Sequence, residues 1–159
     1  MRIISIFLLF FLLFLPQRTV FCQDNCFTVI VGKKASKDGN VLLAHNEDNG
    51  ITEISRMVRK PGRIRPSQRV FLPGTANIYS DSSSLAYWSL EIPSQSFSDV
   101  LCNERGVVIV SNGCPSREEN GEITDGGIGR GLRHFIAEYA VSARDGVIKA
   151  GKLVERFGY

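Results

Sequence analysis

The chain changes its period once, near Leu132, and that switch does most to constrain the fold. Before it, short β-branched and aromatic runs are broken by glycine, proline and polar turns, the pattern of strands. After it, Leu132, Phe135, Ile136, Tyr139 and Ala140 recur at helical spacing. Val147, Ile148, Gly151, Val154 and Phe157 mark a second amphipathic helix, and Ser142-Ala-Arg-Asp145 ahead of it has the capping-box pattern. Strands first and paired helices after them predict an α+β domain, a sheet with helices stacked on it. The length suits one domain, and 43% hydrophobic composition can support its core.

Two hairpins stand out in the strand-forming part. Cys26-Phe-Thr-Val-Ile-Val31 and Asn40-Val-Leu-Leu-Ala-His45 flank a polar connection that holds Gly32 and Gly39. Asp99-Val-Leu-Cys102 and Val107-Val-Ile-Val110 flank Asn103-Glu-Arg-Gly106, a tight turn whose glycine suits positive φ. Leu85–Leu90 and Val70–Leu72 are further strand candidates, and residues 115–131 read as a surface loop. The arginine cluster from Arg56 to Arg69, among Pro61, Pro66 and Pro73, reads as a solvated loop, with contact to a substrate carboxylate as the lesser reading. Tyr87 and Trp88 are core or pocket wall, and His134 is expected on a helix surface.

Residues 1–22 read as a signal peptide. Arg2 supplies the charge, and Ile3 to Leu15 is apolar at every position but Ser5. These thirteen residues are too few for a spanning helix, which needs about 20, so no stable membrane anchor is expected. A cut after Cys22 leaves residues 23–25, Gln-Asp-Asn, as a short propeptide, and a secreted or lumenal product. Removing residues 1–25 takes away Arg2, Arg18 and Asp24, leaving 17 basic and 15 acidic side chains. That near neutrality, with no basic run, argues against a nucleic-acid partner.

Residues 26–159 keep Cys26, Cys102 and Cys114, so one thiol is left over whatever pairs. The strand between Cys102 and Cys114 separates its ends by roughly 20 Å at about 3.3 Å per residue. A disulfide needs Cα atoms within about 7 Å, so a 102–114 bridge is not expected unless the chain folds back. With His45 and His134 as the only histidines and no CxxC, no metal or other cofactor is implied.

Cys26 carries the chemistry. As a first residue it would place a thiol of pKa about 8.5 beside an amine of about 7.7–8.0. That amine can accept the thiol's proton, and the thiolate can attack an amide carbonyl to give an acyl-enzyme. While Asn25 is attached, the nitrogen is an amide without useful basicity. Signal peptidases want small residues at the cut and Asn25 fits poorly, so a second cleavage is required, for which Cys26 could attack its own upstream carbonyl. Asp48, just after the second strand, could hold the amine. Asn112, at the end of the 107–110 strand, could donate to an oxyanion. Each has a plainer reading: a buried thiol or disulfide half for Cys26, a turn cap for Asp48, a turn pair with Gly113 for Asn112, and a satisfied strand-end residue for His45.

Residues 26–48, Cys-Phe-Thr-Val-Ile-Val-Gly-Lys-Lys-Ala-Ser-Lys-Asp-Gly through Leu-Leu-Ala-His-Asn-Glu-Asp, resemble the start of the dipeptidase A/secernin family of cysteine peptidases. Residues 103–112 are similar to the hairpin that carries the oxyanion asparagine in the related penicillin V acylases and bile salt hydrolases. Residues 132–159 are similar to the helical segment that follows in the dipeptidases. The resemblance implies a four-layer α/β/β/α N-terminal nucleophile hydrolase, incomplete in residues 26–159, that hydrolyses peptide bonds in small dipeptide substrates. It implies Cys26 as nucleophile with its amine as base, Asp48 orienting that amine, Asn112 in the oxyanion hole, and His45 at substrate, where these families usually carry an arginine. Because family members are longer, the chain reads as a fragment or truncated gene. The other functions to weigh are an amidase on non-peptide amides and an inactive relic, and a homo-oligomer stays open.

Overall fold

The computed structural model describes residues 26–47, 54–67, 69–70, 78–79, 82–93, 98–113, 127–129 and 131–159. Asp48, Cys114, Phe71, Leu72 and the expected leader and propeptide lie outside the described residues. β1 (Phe27–Val31) and β2 (Leu42–Asn46) form an antiparallel hairpin with Thr28 opposite His45 and Ile30 opposite Leu43. β3 (Arg56–Lys60) is followed by two-residue strands: β4 (Arg63–Ile64), β5 (Arg69–Val70), β6 (Ile78–Tyr79) and β7 (Ser83–Ser84). β8 (Tyr87–Glu91), β9 (Ser98–Asn103) and β10 (Val108–Val110) complete the strands, and α1 (Gly131–Tyr139) and α2 (Ala143–Phe157) end the chain.

The larger sheet has the order β10-β9-β8-β3 and is antiparallel throughout, while β4 pairs β7 and β5 pairs β6. Strand β3 corrects the expected arginine loop. Its backbone pairs with β8 from Arg56–Glu91 to Lys60–Tyr87, and its position at the sheet edge lets the cationic heads reach water. Arg56 and Lys60 share a face and both meet Glu91, at 3.5 and 2.8 Å. The hydrogen bond from Lys60 is the main cause that holds the Glu91 carboxyl below its ordinary range.

The β9–β10 hairpin closes as expected. Gly106 N–H donates to Asn103 O at 2.9 Å, Asn103 N–H donates to Val107 O at 3.0 Å, and Gly106 takes φ 74°. The turn thus ends on a left-handed residue, a conformation that glycine adopts without steric cost.

Helix α1 packs on this sheet. Ala137 meets Tyr87 and Leu101, and Ile136 and Ala140 meet Val107. Helix α2 begins at Ser142, whose side chain accepts from Asp145 N–H as the capping pattern predicts. The reciprocal bond shifts by one residue, since Asp145 Oδ2 accepts from Val141 N–H.

The inward face of α2 keeps Phe157 from the expected stripe and otherwise differs from it. Gly146 and Phe157 are buried and Ala150 and Leu153 pack against the core, while Val147 is 73% and Ile148 52% exposed. An added Cβ at Gly146 would lie 3.1 Å from Ile136 Cγ2, so the glycine sets how closely the two helices approach. The end of the expected surface loop is also core, with Ile128 fully buried against Ile78 and Phe157.

Candidate functional site

The two-residue period of β1 puts Cys26, Thr28 and Ile30 on one face, and the register of β2 sets His45 and Leu43 beside the last two. Glu47 follows β2 on the same alternation. These residues form one hydrogen-bonded run. Cys26 Sγ–H donates to Glu47 Oε1 at 3.1 Å. Glu47 Oε2 lies 2.9 Å from His45 Nε2, and His45 Nδ1 lies 2.9 Å from Thr28 Oγ1. Thr28 Oγ1–H donates to Asn112 Oδ1 at 3.3 Å, across 84 residues of sequence. An ionised carboxylate only accepts, so Cys26 presents its proton to Glu47, while the donor and acceptor roles of the His45 ring nitrogens follow its tautomer.

The structure thus brings Cys26, His45 and Asn112 together. His45 has a side chain only 4% exposed with both ring nitrogens engaged by protein groups. A substrate would compete with those bonds for it. Asn112 is exposed, and its Oδ1 is turned toward Thr28. It reaches the hairpin because β10 returns from the turn at Gly106 and leads into Ser111, whose Oγ accepts from Arg133 on α1. Arg133 is itself buried.

Thr28 and Glu47 were not among the residues singled out in the sequence. The alternation of Leu43 and His45, carried one step beyond the strand, points to Glu47. Nothing local marks Thr28, since its role depends on the strand register.

Beside this run lies an apolar groove of about 400 Å³, lined among others by Ile30, Leu43, Val110, Leu132, Val147 and Tyr159. It is contiguous with the polar run, because Ile30 and Leu43 are the next same-face pair after Thr28 and His45. Ser111 and Arg133 contribute polar groups to its lining.

Other candidates find structural roles. His134 is not on an open surface: Nδ1 lies 3.4 Å from Tyr87 Oη and the two rings meet edge to face. Burial, then the nearby Arg133 charge, holds the His134 pKa below its ordinary value. Burial, aided by Glu138, pushes the Tyr87 hydroxyl up to about 12. Tyr87 is therefore core, whereas Trp88 is half exposed. Arg56 and Arg63 pair with Glu91 and Glu138. Cys102 is a free thiol. Among the described residues no cluster of His, Cys, Asp and Glu could hold a metal ion, and no helix is long and apolar enough to cross a membrane.

No family model matches the chain. The chain is similar to a protein named Dipeptidase from Bifidobacterium longum (strain NCC 2705), with 26% identity over 158 residues. The match takes in 84% of this chain and 29% of that protein, so the chain spans under a third of its relative's length. The likeness supports a dipeptidase-like hydrolase family and nothing finer.

Proposed function

We propose that residues 26–159 are the nucleophile-bearing part of a cysteine-type dipeptidase with the four-layer N-terminal nucleophile hydrolase fold. Residues 1–22 direct the chain to a secreted or lumenal compartment, and removal of residues 23–25 frees the Cys26 amine. The observation that carries this reading is the Cys26 thiol 3.1 Å from Glu47, at one end of the run through His45 and Thr28 to Asn112. The similarity to a named dipeptidase supports the same reaction class.

The mechanism uses these residues in order. The free Cys26 amine, held by Asp48, accepts the thiol proton, and Sγ attacks the substrate carbonyl. Asn112 has its Oδ1 occupied by Thr28, so its Nδ2 group is the part left to donate to the oxyanion. The amine returns the proton to the leaving nitrogen, and water releases the acyl group from sulfur. The groove beside Ile30 and Leu43 accepts an apolar side chain of the substrate.

The same groove would fit an acyl chain, which keeps an amidase on non-peptide amides as the second reading. Mature wild-type protein and Cys26→Ala are compared on a panel of dipeptides with an N-acyl amine beside them. Dipeptide turnover should fall by a factor on the order of 10³ or more in Cys26→Ala. Equal turnover by the two proteins would remove the nucleophile. Turnover of the N-acyl amine alone would favour the amidase.

A further inference from the structure

Maturation contains one step that the Cys26 amine cannot serve. That amine exists only after the Asn25–Cys26 bond is cut, so the cut itself needs another proton acceptor. Among the described residues, the group placed for it is Glu47, whose Oε1 accepts from Cys26 Sγ at 3.1 Å. We propose that Glu47 is the acid–base residue of a self-cleavage at Asn25–Cys26, with His45 and Thr28 as positioning residues; the proposal rests on the N-terminal nucleophile reading above.

In this step Glu47 Oε1 takes the thiol proton while Sγ attacks the carbonyl carbon of Asn25. Covalent geometry brings the two within reach, because Sγ, Cβ, Cα, N and that carbon close a five-membered ring. The C–N bond then breaks. Glu47 gives the same proton to the leaving nitrogen, and Asn25 is carried on sulfur as a thioester. Water hydrolyses the thioester to the Asn25 carboxylate and restores the thiol. No oxidant or reductant is needed.

One group must first accept and then donate, and Glu47 is held for both tasks. Its second oxygen is 2.9 Å from His45 Nε2, on a side chain 4% exposed, and His45 is anchored in turn by Thr28 at 2.9 Å. A swing of the carboxylate into water would therefore strand a buried imidazole nitrogen. Cys26 and Glu47 also flank one hairpin, each one residue beyond the paired strands, so the register of β1 with β2 sets them opposite each other.

The test uses the full 159-residue chain, synthesised without membranes in reducing buffer so that no signal peptidase acts. Mass spectrometry follows the N-terminus. Wild type should come to begin at Cys26. Glu47→Gln should trim roughly 100-fold more slowly, the lower range for loss of a general acid–base group. Glu47→Asp should recover part of the rate, and circular dichroism identifies folded variants. Hydroxylamine, which cleaves thioesters, should speed release of residues 1–25 from wild type and leave the Glu47→Gln rate unchanged. Glu47→Gln keeps the shape of the side chain and Glu47→Asp keeps its carboxylate, so faster trimming by Glu47→Asp than by Glu47→Gln separates proton transfer from a purely structural role.

Trimming of Glu47→Gln at the wild-type rate overturns the proposal, as does equal acceleration of both proteins by hydroxylamine. If trimmed wild type is inert on dipeptides while trimming still requires Glu47, the dipeptidase reading falls and this one stands. If wild type never trims, this proposal falls, and the dipeptidase reading is decided by the Cys26→Ala comparison on protein that begins at Cys26.

Discussion

Asn103 closes a turn and a helix end with one side chain. Its Nδ2 donates to Ala137 O at 3.1 Å and Ala140 O at 2.8 Å, carbonyls that the end of α1 leaves without helical partners. Its Oδ1 accepts from Arg105 N–H and Val107 N–H, each at 3.0 Å. A carboxamide has two donors and two acceptor positions, so this residue, 4% exposed, is fully used. In Asn103→Ala those backbone groups lose their partner where water has little access. At about 1–3 kcal/mol for each buried group left unsatisfied, and with the exposed turn able to rehydrate, the loss should be about 3 kcal/mol. Urea unfolding should show a lower midpoint at unchanged m-value, and a loss under about 1 kcal/mol would mean that apolar packing alone joins turn and helix. The sequence offered Asn103 only as a turn residue, because its helix partners lie more than thirty positions away.

Between elements, close approach falls to glycine. Gly62 links β3 to β4 where the chain passes the backbone of residues 84–86. A Cβ there would lie 2.7 Å from Ser84 O and 3.1 Å from Ala86 N, and neither atom can yield without moving the strand. Gly62→Ala should therefore lower stability by about 1–3 kcal/mol, the usual range for overpacking. Gly32→Ala is the control, since nothing lies within 4 Å of the point its Cβ would occupy. Thermal unfolding of the two variants side by side checks this, and equal midpoints would show that β3 and β4 adjust freely. The ion pairs of Arg56 and Lys60 with Glu91 along the same edge strand are partly exposed and contribute little, on the order of 0–1 kcal/mol.

At the scale of the molecule, the described residues leave many large apolar side chains in contact with solvent. Phe27 and Val29 on β1 are 57% and 50% exposed, and Val147 and Ile148 form an open stripe on α2. Ile54, Met57 and Ile64 add to it. Two-stranded hairpins are marginal alone, and apolar faces of this kind are covered in stable proteins. Residues 26–159 in isolation should bind the dye ANS strongly. Val147→Lys with Ile148→Lys should reduce that signal while changing stability by no more than about 0.5 kcal/mol per site, because neither side chain is buried. A wild-type signal at background level would mean that these faces are already covered in solution.

Local chemistry made part of this protein readable from residues alone. The two hairpins, the left-handed glycine at 106, the Ser142 cap and both helices follow from preferences that act within a few positions of the chain. Cys26 was singled out in the same way, by its place ahead of a strand and behind an apolar leader. Tertiary structure decided the rest. Which face of α2 turns inward depends on Gly146 meeting Ile136, and Ile128 is buried because Phe157 and Ile78 converge on it. Glu47 reaches the thiol only through the pairing of β1 with β2, and Asn112 joins them through a contact 84 residues long. Periodicity shows that a strand or helix has an apolar side; only the neighbours that pack against it determine which side chains are withdrawn from water and which polar groups meet.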